Sequence, residues 1–345
     1  MAEKQRIEWI DTAKGICILL VVLHHTSRFL KIDYPCAADF MVFRMPLYFI
    51  LSGLFFKSYS GFLDFLQRKV NKLIVPYLFF FTLGGVILPV LLFNLFDFRV
   101  WSYKDYGVEA LGFVFSEKII CNPSIWFLVC LFEVNIIFYC IQLVSRLSSH
   151  RNLTYLLLSI GIGIVGLLLS YFSINLPYYL DSALSATPFF YAGWYMRNHT
   201  SFLTFHYDKK TLGLSFLFVL LVIFEIHFIR FGICSIISNY YGGVLGILQL
   251  YPYGIMGTLA VLLIAKALGT IPLISYVGRY SIIVLCTHAY VIQFSGLIIS
   301  EYIHNSILIW IVFIATSLIC ALIIPFFKKY LPHVTAQKDI FKFNV

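Results

Sequence analysis

Charged residues are scarce in this chain of 345 residues. Only 12% of the residues are Asp, Glu, Lys or Arg, whereas 61% are hydrophobic. A soluble domain of this length cannot enclose so much apolar surface in one core, so the composition excludes an ordinary soluble protein. The formal net charge of +9 does not indicate a nucleic-acid partner, because the basic residues lie in the segments between apolar runs.

Other features are missing as well. No small-residue cleavage site follows the first apolar run, so this run is expected to be an uncleaved first span. The sequence has no CxxC pair or His/Cys cluster, so no metal site is expected. No internal repeat is visible, although transporters are typically built from paired repeats with broken helices.

What the sequence does contain is a series of apolar runs long enough to cross a bilayer. These runs predict an all-α, polytopic membrane helical bundle of about ten transmembrane helices, in a single domain over residues 1–345. The predicted spans are residues 14–30, 38–56, 74–96, 122–144, 153–173, 178–196, 211–230, 242–265, 280–299 and 304–327.

The basic residues predict the orientation of the bundle. With the N-terminus inside, 18 of the 25 Lys and Arg residues fall in cytoplasmic segments and six in outer ones, while Arg44 lies within a span. Basic residues concentrate on the cytoplasmic side of membrane proteins. Both termini are therefore expected to be cytoplasmic.

The first span carries two ionisable groups on one face. Lys14 and His25 are eleven positions apart, which places them about 20° apart around a helix and roughly 16 Å apart along its axis. Burial of ionisable groups inside a bilayer costs free energy, so a functional role is the first hypothesis for such a pair. His24 lies about 80° from this face and is expected to make an ordinary hydrogen bond between helices.

Three more spans carry ionisable residues at a similar depth, namely Arg44, Glu133 and His288. Separate burial would cost on the order of several kcal/mol for each, so convergence on a wet cavity is expected. Arg44 is either a catalytic group or a packing partner of Glu133, and His288 is either a catalytic group or a satisfied interhelical histidine. His227, in the seventh span, is expected to be an isolated packing or lipid-boundary residue.

Two segments between spans have more than one interpretation. Residues 60–72 have the apolar spacing of an interfacial helix, and their basic residues Arg68, Lys69 and Lys72 either meet anionic headgroups, which charge alone favours, or help to hold an anionic cytosolic donor. The outer connection 97–121 is aromatic and acidic. It is either an interfacial belt or a sugar-binding surface.

Four stretches, taken in order, resemble the acyltransferase-3 family of bacterial membrane O-acyltransferases. They are Ile10–Gly15 with His24 and His25, Phe43–Gly53, Arg68–Tyr77, and the later elements Trp126–Leu128 and Gly278–His288. The family commonly has Arg at the position of Lys14. Lysine carries the same charge but cannot make the bidentate contact with phosphate or carboxylate that arginine makes. It often has His at the position of Arg44. No soluble esterase-like domain follows, so the chain resembles the short members that act as complete enzymes.

The resemblance implies transfer of an acetyl or another small acyl group from cytosolic acyl-CoA to a sugar hydroxyl of a surface or lipid-linked glycan, in the bacterial inner membrane. No permanently bound cofactor is implied. His25, Arg44 and His288 would be catalytic, with His25 as general base or covalent acyl carrier and the other two stabilising an oxyanion. Lys14, Arg68, Lys69 and Lys72 would bind the donor, with support from Asp11, Ser52, Trp126, Glu133 and Arg279.

Two other functions use the same residues. The polar cluster is also suited to a proton or substrate path in an exporter or transporter of glycans or lipids. A third, weaker alternative is a non-catalytic subunit of a glycan-synthesis complex.

Overall fold

The computed structural model describes residues 7–87, 122–229 and 243–342. Over these ranges the chain is helical and contains no β-strand. The helices are α1 (Glu8–Leu30), α2 (Ala37–Leu54), α3 (Phe62–Lys69), α4 (Val75–Thr82), α5 (Trp126–Arg146), α6 (Arg151–Tyr171), α7 (Leu180–His199), α8 (Lys209–Phe224), α9 (Gly243–Leu268), α10 (Pro272–Arg279), α11 (Ser281–Ser300) and α12 (Leu308–Tyr330).

Short irregular helical segments extend several of these helices. A π-helical segment, Val70–Ile74, joins α3 to α4, and two more, Leu83–Ile87 and Glu225–Ile229, follow α4 and α8. Single 3₁₀ turns, Pro123–Ile125 and Pro177–Tyr179, precede α5 and α7. Proline at the first position of each turn is favourable, because no helical partner exists there for an N–H group.

Eight helical segments of the described chain are long and apolar enough to cross a membrane. They comprise α1, α2, α5, α6, α8, α9, α11 and α12, some with their adjoining turns. The protein is therefore a polytopic membrane helical bundle, as the sequence predicts. The predicted third span, 74–96, lies partly outside the described residues, as does the whole connection 97–121.

The predicted sixth span differs from the others. Residues 178–196 do form a helix, α7, but this helix is too polar to be counted among the eight. Its polar residues Ser182, Ser185 and Thr187 are buried inside the bundle. Because α7 packs against α2, α5 and α6, these hydroxyls face neighbouring helices, and the helix needs less apolar surface than one that contacts lipid.

The position of α1 is fixed by a close contact with α10. Gly15 on α1 faces Ile274, and Gly278 on α10 faces Asp11 and Gly15. A Cβ atom on either glycine would overlap the backbone of the other helix. Small residues permit this kind of close helix packing in membranes. The contact sets the rotation of α1, and with it the direction in which Lys14 and His25 point.

The segment after α12 folds back onto the π-helical segment Val70–Ile74. Asn71, which is 1% exposed, accepts hydrogen bonds from the backbone N–H groups of Ile340 and Phe341 at 2.8 and 2.9 Å. It also donates to the Phe341 carbonyl at 2.9 Å. The neighbouring Lys72 donates to the Ala336 carbonyl at 2.7 Å. One buried amide thus anchors residues 331–342.

Replacement of Asn71 by leucine is expected to release this segment while the helices stay folded. The variant loses three hydrogen bonds to this segment, each worth about 1 kcal/mol, and a fourth to the Gln67 carbonyl one turn earlier. Amide hydrogen exchange at Ile340 and Phe341 should become faster. Asn198→Leu is the matched control, because its amide donates only to Trp194 within its own helix. Unchanged protection of residues 340 and 341 in Asn71→Leu would contradict the anchoring role.

Candidate active site

Two cavities adjoin each other between α1, α2, α5 and α11. The larger has a volume of about 470 Å³ and is lined by residues near the N-terminal end of α1 and by the segment after α3. The smaller has a volume of about 70 Å³ and includes His25. Tyr48, Phe127 and Leu285 line both, so these three side chains form the wall between them.

The larger cavity is cationic. Lys14, Lys69 and Lys72 line it together with Ser52, Asn135 and Ser281, and the rest of the described lining is apolar or aromatic. The Nζ atom of Lys14 lies 4.5 Å from the ring centroid of Phe55. No carboxylate is among the described lining residues. Lys72 has an acidic neighbour outside this lining, since its Nζ lies 4.0 Å from Asp339 Oδ1. Three ammonium groups in a wall that itself has no described acid are typical of a site for an anion.

Lys69 lies among aromatic rings and has a lowered pKa. Its Nζ atom lies 5.4 Å and 5.6 Å from the ring centroids of Phe56 and Tyr59. Burial, with the charge of Lys57 as a smaller cause, lowers the pKa of Lys69 to about 8. An ammonium group in such surroundings is poorly hydrated, and a bound anion would restore part of the lost stabilisation.

The smaller cavity contains imidazole and guanidinium groups. It is lined by His24, His25, Arg44, Ser124 and Trp126, with apolar residues that include Val21 and Met45. The His25 ring centroid lies 5.5 Å from that of His24 and 5.2 Å from that of His288. The His25 ring therefore borders a cavity instead of lipid, as the spacing from Lys14 predicts.

His288 lies behind this cavity, in a hydrogen-bond network. It is fully buried, and its Nδ1 is 2.8 Å from the Val284 carbonyl oxygen. Because a carbonyl only accepts, Nδ1 carries a proton, and Nε2 of the neutral ring is an acceptor. Nε2 is 3.2 Å from the Ser124 hydroxyl. His288 is thus fixed in one tautomer and reaches the cavity only through Ser124 and through its contact with His25.

The turn before α5 completes this network. The Ser124 hydroxyl lies 3.0 Å from Asn122 Oδ1, and Asn122 donates to the Cys286 carbonyl at 2.8 Å. Ser124 has one proton for two acceptors, Asn122 Oδ1 and His288 Nε2. The serine can therefore redirect its hydroxyl between them without any movement of the backbone.

Arg44 is a buried cation that has no counter-ion among the described residues. Its side chain lines the smaller cavity, it is 5% exposed, and its Nη1 has no hydrogen-bond partner among the described residues. An unpaired charge in a protein interior is strongly unfavourable. The alternative in which Arg44 pairs with Glu133 is wrong, because no ion pair joins these two described residues. Arg44 is instead available to a negative charge that enters or develops in the cavity.

Glu133 does not join the cluster, contrary to the prediction from depth. On α5 the cavity-lining residues are Phe127, Leu128, Leu131 and Asn135. Glu133 is two residues from Leu131, or about 200° around the helix, so it faces the other way. The charged group that interacts with it is Asp181. A similar position along the helix does not bring Glu133 to the cluster, because the face on which a side chain lies is set separately.

The remaining predicted residues divide between the cavities and other places. Ser52 lines the larger cavity and Trp126 the smaller one. Arg68 does not line either cavity. It is exposed and pairs with Asp64 at 2.5 Å. Arg279 is exposed and stacks on Tyr280, and Asp11 is buried at the contact with α10, so neither of them lines a cavity.

The sequence pattern does not single out two polar residues of the site, Asn122 and Ser124. It predicts an interhelical hydrogen bond for His24, which lines the smaller cavity. Ser124 and Asn122 lie in and beside a 3₁₀ turn, where helical spacing gives no direction for a side chain. The adjacent Trp126, part of a recognised stretch, was the available signal for this turn.

Comparison with known proteins identifies the family of the chain. The acyltransferase domain model matches residues 7–325, a range that includes every residue lining the two cavities. The searches of curated proteins and of solved structures return no match. A match over almost the entire chain, together with the membrane-spanning helices, identifies the general activity. The chain belongs to the acyltransferase-3 family and is a multi-pass membrane acyltransferase.

Proposed function

We propose that this acyltransferase moves an acetyl or similarly small acyl group from cytosolic acyl-CoA to a sugar hydroxyl of a surface or lipid-linked glycan, in a bacterial inner membrane. The observation that supports this most directly is the adjacency of two different cavities. One is lined by three lysines and no described carboxylate, and the other contains His25 beside Arg44. The sugar acceptor is suggested by the resemblance of the four sequence stretches.

The larger cavity suits the donor. Its lysines Lys14, Lys69 and Lys72 can bind the phosphates of coenzyme A as point charges, and its apolar wall can contact the pantetheine arm. Lys14 and His25 are about 16 Å apart along α1, a distance comparable with the reach of that arm. The thioester would then arrive at the wall formed by Tyr48, Phe127 and Leu285.

The smaller cavity suits the chemistry. His25 takes the proton of the acceptor hydroxyl as its oxygen attacks the thioester carbon. Arg44 stabilises the oxyanion of the tetrahedral intermediate. The C–S bond then breaks, and the coenzyme A thiolate leaves and regains a proton from His25. In the alternative, His25 first accepts the acyl group on its ring nitrogen and then passes it to the hydroxyl.

The dimensions of the smaller cavity favour a short acyl group. A volume of about 70 Å³ holds only a few water molecules. An acetyl group occupies similar space, whereas a long chain would need Val21, Met45 or Leu285 to move.

The direct test is release of free thiol from acetyl-CoA by the purified protein in detergent, with and without a glycan fraction from cells that lack the protein. Acceptor-dependent thiol release, and appearance of O-acetyl groups on the glycan, support the proposal. An exporter would release no thiol, and its loss would change where glycan accumulates without changing the O-acetyl content. That outcome would replace the enzymatic function.

The pH dependence of donor use provides a further prediction. Lys69 is charged below its pKa of about 8 and neutral above it. The kcat/KM for acetyl-CoA is therefore expected to fall as the pH rises through about 8, because this ratio reports the free enzyme. Lys69→Met should lower kcat/KM and remove this step. Lys210→Met, at an exposed lysine of α8, should keep it, and a step that persists in Lys69→Met would contradict the assignment.

A further inference from the structure

A second group of reactive side chains lies away from both cavities. Cys36 immediately precedes α2, Asp39 is in the first turn of α2, and His227 is in the π-helical segment after α8. The thiol sulfur, a carboxylate oxygen and a ring nitrogen all lie within 4.8 Å of one another. These are three atom types that bind transition metals.

The local structure explains why these atoms converge. Cys36 immediately precedes α2 in a left-handed backbone conformation, with φ of 60°, and Asp39 lies in the first turn of the helix. The backbone N–H of Asp39 donates to the Cys36 carbonyl at 3.0 Å. His227 approaches from α8, and its Nδ1 lies 2.8 Å from Asp39 Oδ2. The site therefore joins two helices that are far apart in the sequence.

We propose that Cys36, Asp39 and His227 form a Zn²⁺ site. Zinc binds thiolate, imidazole and carboxylate at roughly 2.0–2.3 Å in a tetrahedral arrangement, so a small rotation of these side chains is sufficient. The thiolate and imidazole favour zinc over calcium or magnesium, which prefer oxygen ligands. Cys36 and His227 are exposed, which leaves the fourth position to water. Binding releases the thiol proton, while the neutral imidazole keeps its one proton on the ring nitrogen that does not bind the metal.

The simpler interpretation is a hydrogen-bonded group in which both His227 and the Cys36 thiol interact with the Asp39 carboxylate. The two interpretations differ in what Cys36 does. In a metal site the thiolate is a ligand, whereas in a hydrogen-bonded group the thiol keeps its proton. Bound zinc would also attach the end of α8 to α2, the helix that carries Arg44. Only 11% of the α8 span is buried inside the bundle.

The experiment uses Co²⁺ as a spectroscopic substitute for zinc in the purified, EDTA-treated protein. The expected result is a sulfur-to-cobalt charge-transfer band that saturates near one equivalent and disappears when Zn²⁺ is added. Cys36→Ser should lose the band. His227→Ala should weaken cobalt binding by more than about tenfold. Removal of a residue that only hydrogen-bonds to a metal ligand already costs about this much affinity, and His227 is proposed as a ligand itself.

The matched control is Cys140→Ser, which removes another exposed free cysteine, on α5, and should retain the band. A second measurement does not depend on any variant. Zn²⁺, but not Mg²⁺, should raise the unfolding temperature of the EDTA-treated protein. Absence of a band in the unmodified protein, its persistence in Cys36→Ser, or an unfolding temperature insensitive to zinc would each overturn the proposal.

Discussion

Replacement of His25 by alanine is expected to lower kcat for acyl transfer by about 10²–10⁴-fold, the usual contribution of a general base. The ring of His25 borders the smaller cavity beside Arg44, and His25 is the ionisable residue of that wall that lies within about 20° of Lys14 around α1. The measurement is the initial rate of thiol release from acetyl-CoA with acceptor present. KM for acetyl-CoA should change little, because the donor phosphates bind in the other cavity.

The control for this variant is His150→Ala, which removes an exposed histidine before α6. It should retain full activity. A His25→Ala protein that folds and transfers acetyl at the normal rate would eliminate both proposed roles of the imidazole.

The two roles of His25 can be separated by one further observation. If the acyl group is carried covalently, protein incubated with labelled acetyl-CoA without acceptor should retain label on His25. If His25 acts only as a base, the protein stays unlabelled while thiol release depends on acceptor. His25→Ala is the blank for this measurement.

The second large effect is expected for Arg44→Met. Loss of an oxyanion-stabilising group lowers kcat by about 10²–10³-fold, and KM should be nearly unchanged because the interaction strengthens only in the transition state. Initial rates over a range of acetyl-CoA concentrations give both constants. Arg28→Met, at an exposed arginine near the end of α1, is the matched control and should behave like the unmodified enzyme.

Thermal unfolding distinguishes this role from a structural one. Arg44 has no counter-ion among the described residues and an unsatisfied Nη1, so replacement by an apolar side chain of similar length should keep or raise the unfolding temperature. A lower unfolding temperature with normal kcat would show that Arg44 supports packing and not the reaction.

The fold was predictable because its main determinant is local. Each long apolar run must satisfy its backbone hydrogen bonds within itself in a bilayer, and a helix is the outcome. The shared face of Lys14 and His25 was predictable for the same reason, since eleven residues return to nearly the same direction on any α-helix. Residues 178–196 are predicted as a span and form the helix α7, but its buried serines make it too polar to be counted among the eight long apolar helices.

The rest of the site depends on contacts between distant parts of the chain. Glu133 matched the cluster in depth, but the direction of its side chain is set by how α5 packs against α7. Ser124 meets His288 across 164 residues, and His227 meets Asp39 across 188. Asn71 binds a segment 270 residues later. Spacing within one helix does not contain this information.

The wall of Tyr48, Phe127 and Leu285 has a consequence for the membrane itself. The hydroxyl of Tyr48 is buried and meets hydrogen-bond geometry with no described residue, and the other two side chains are apolar. A continuous water-filled channel at this point would let protons and ions cross and would dissipate the membrane potential. Because these three side chains lie between the two cavities, planar bilayers that contain this protein are expected to show no ion conductance.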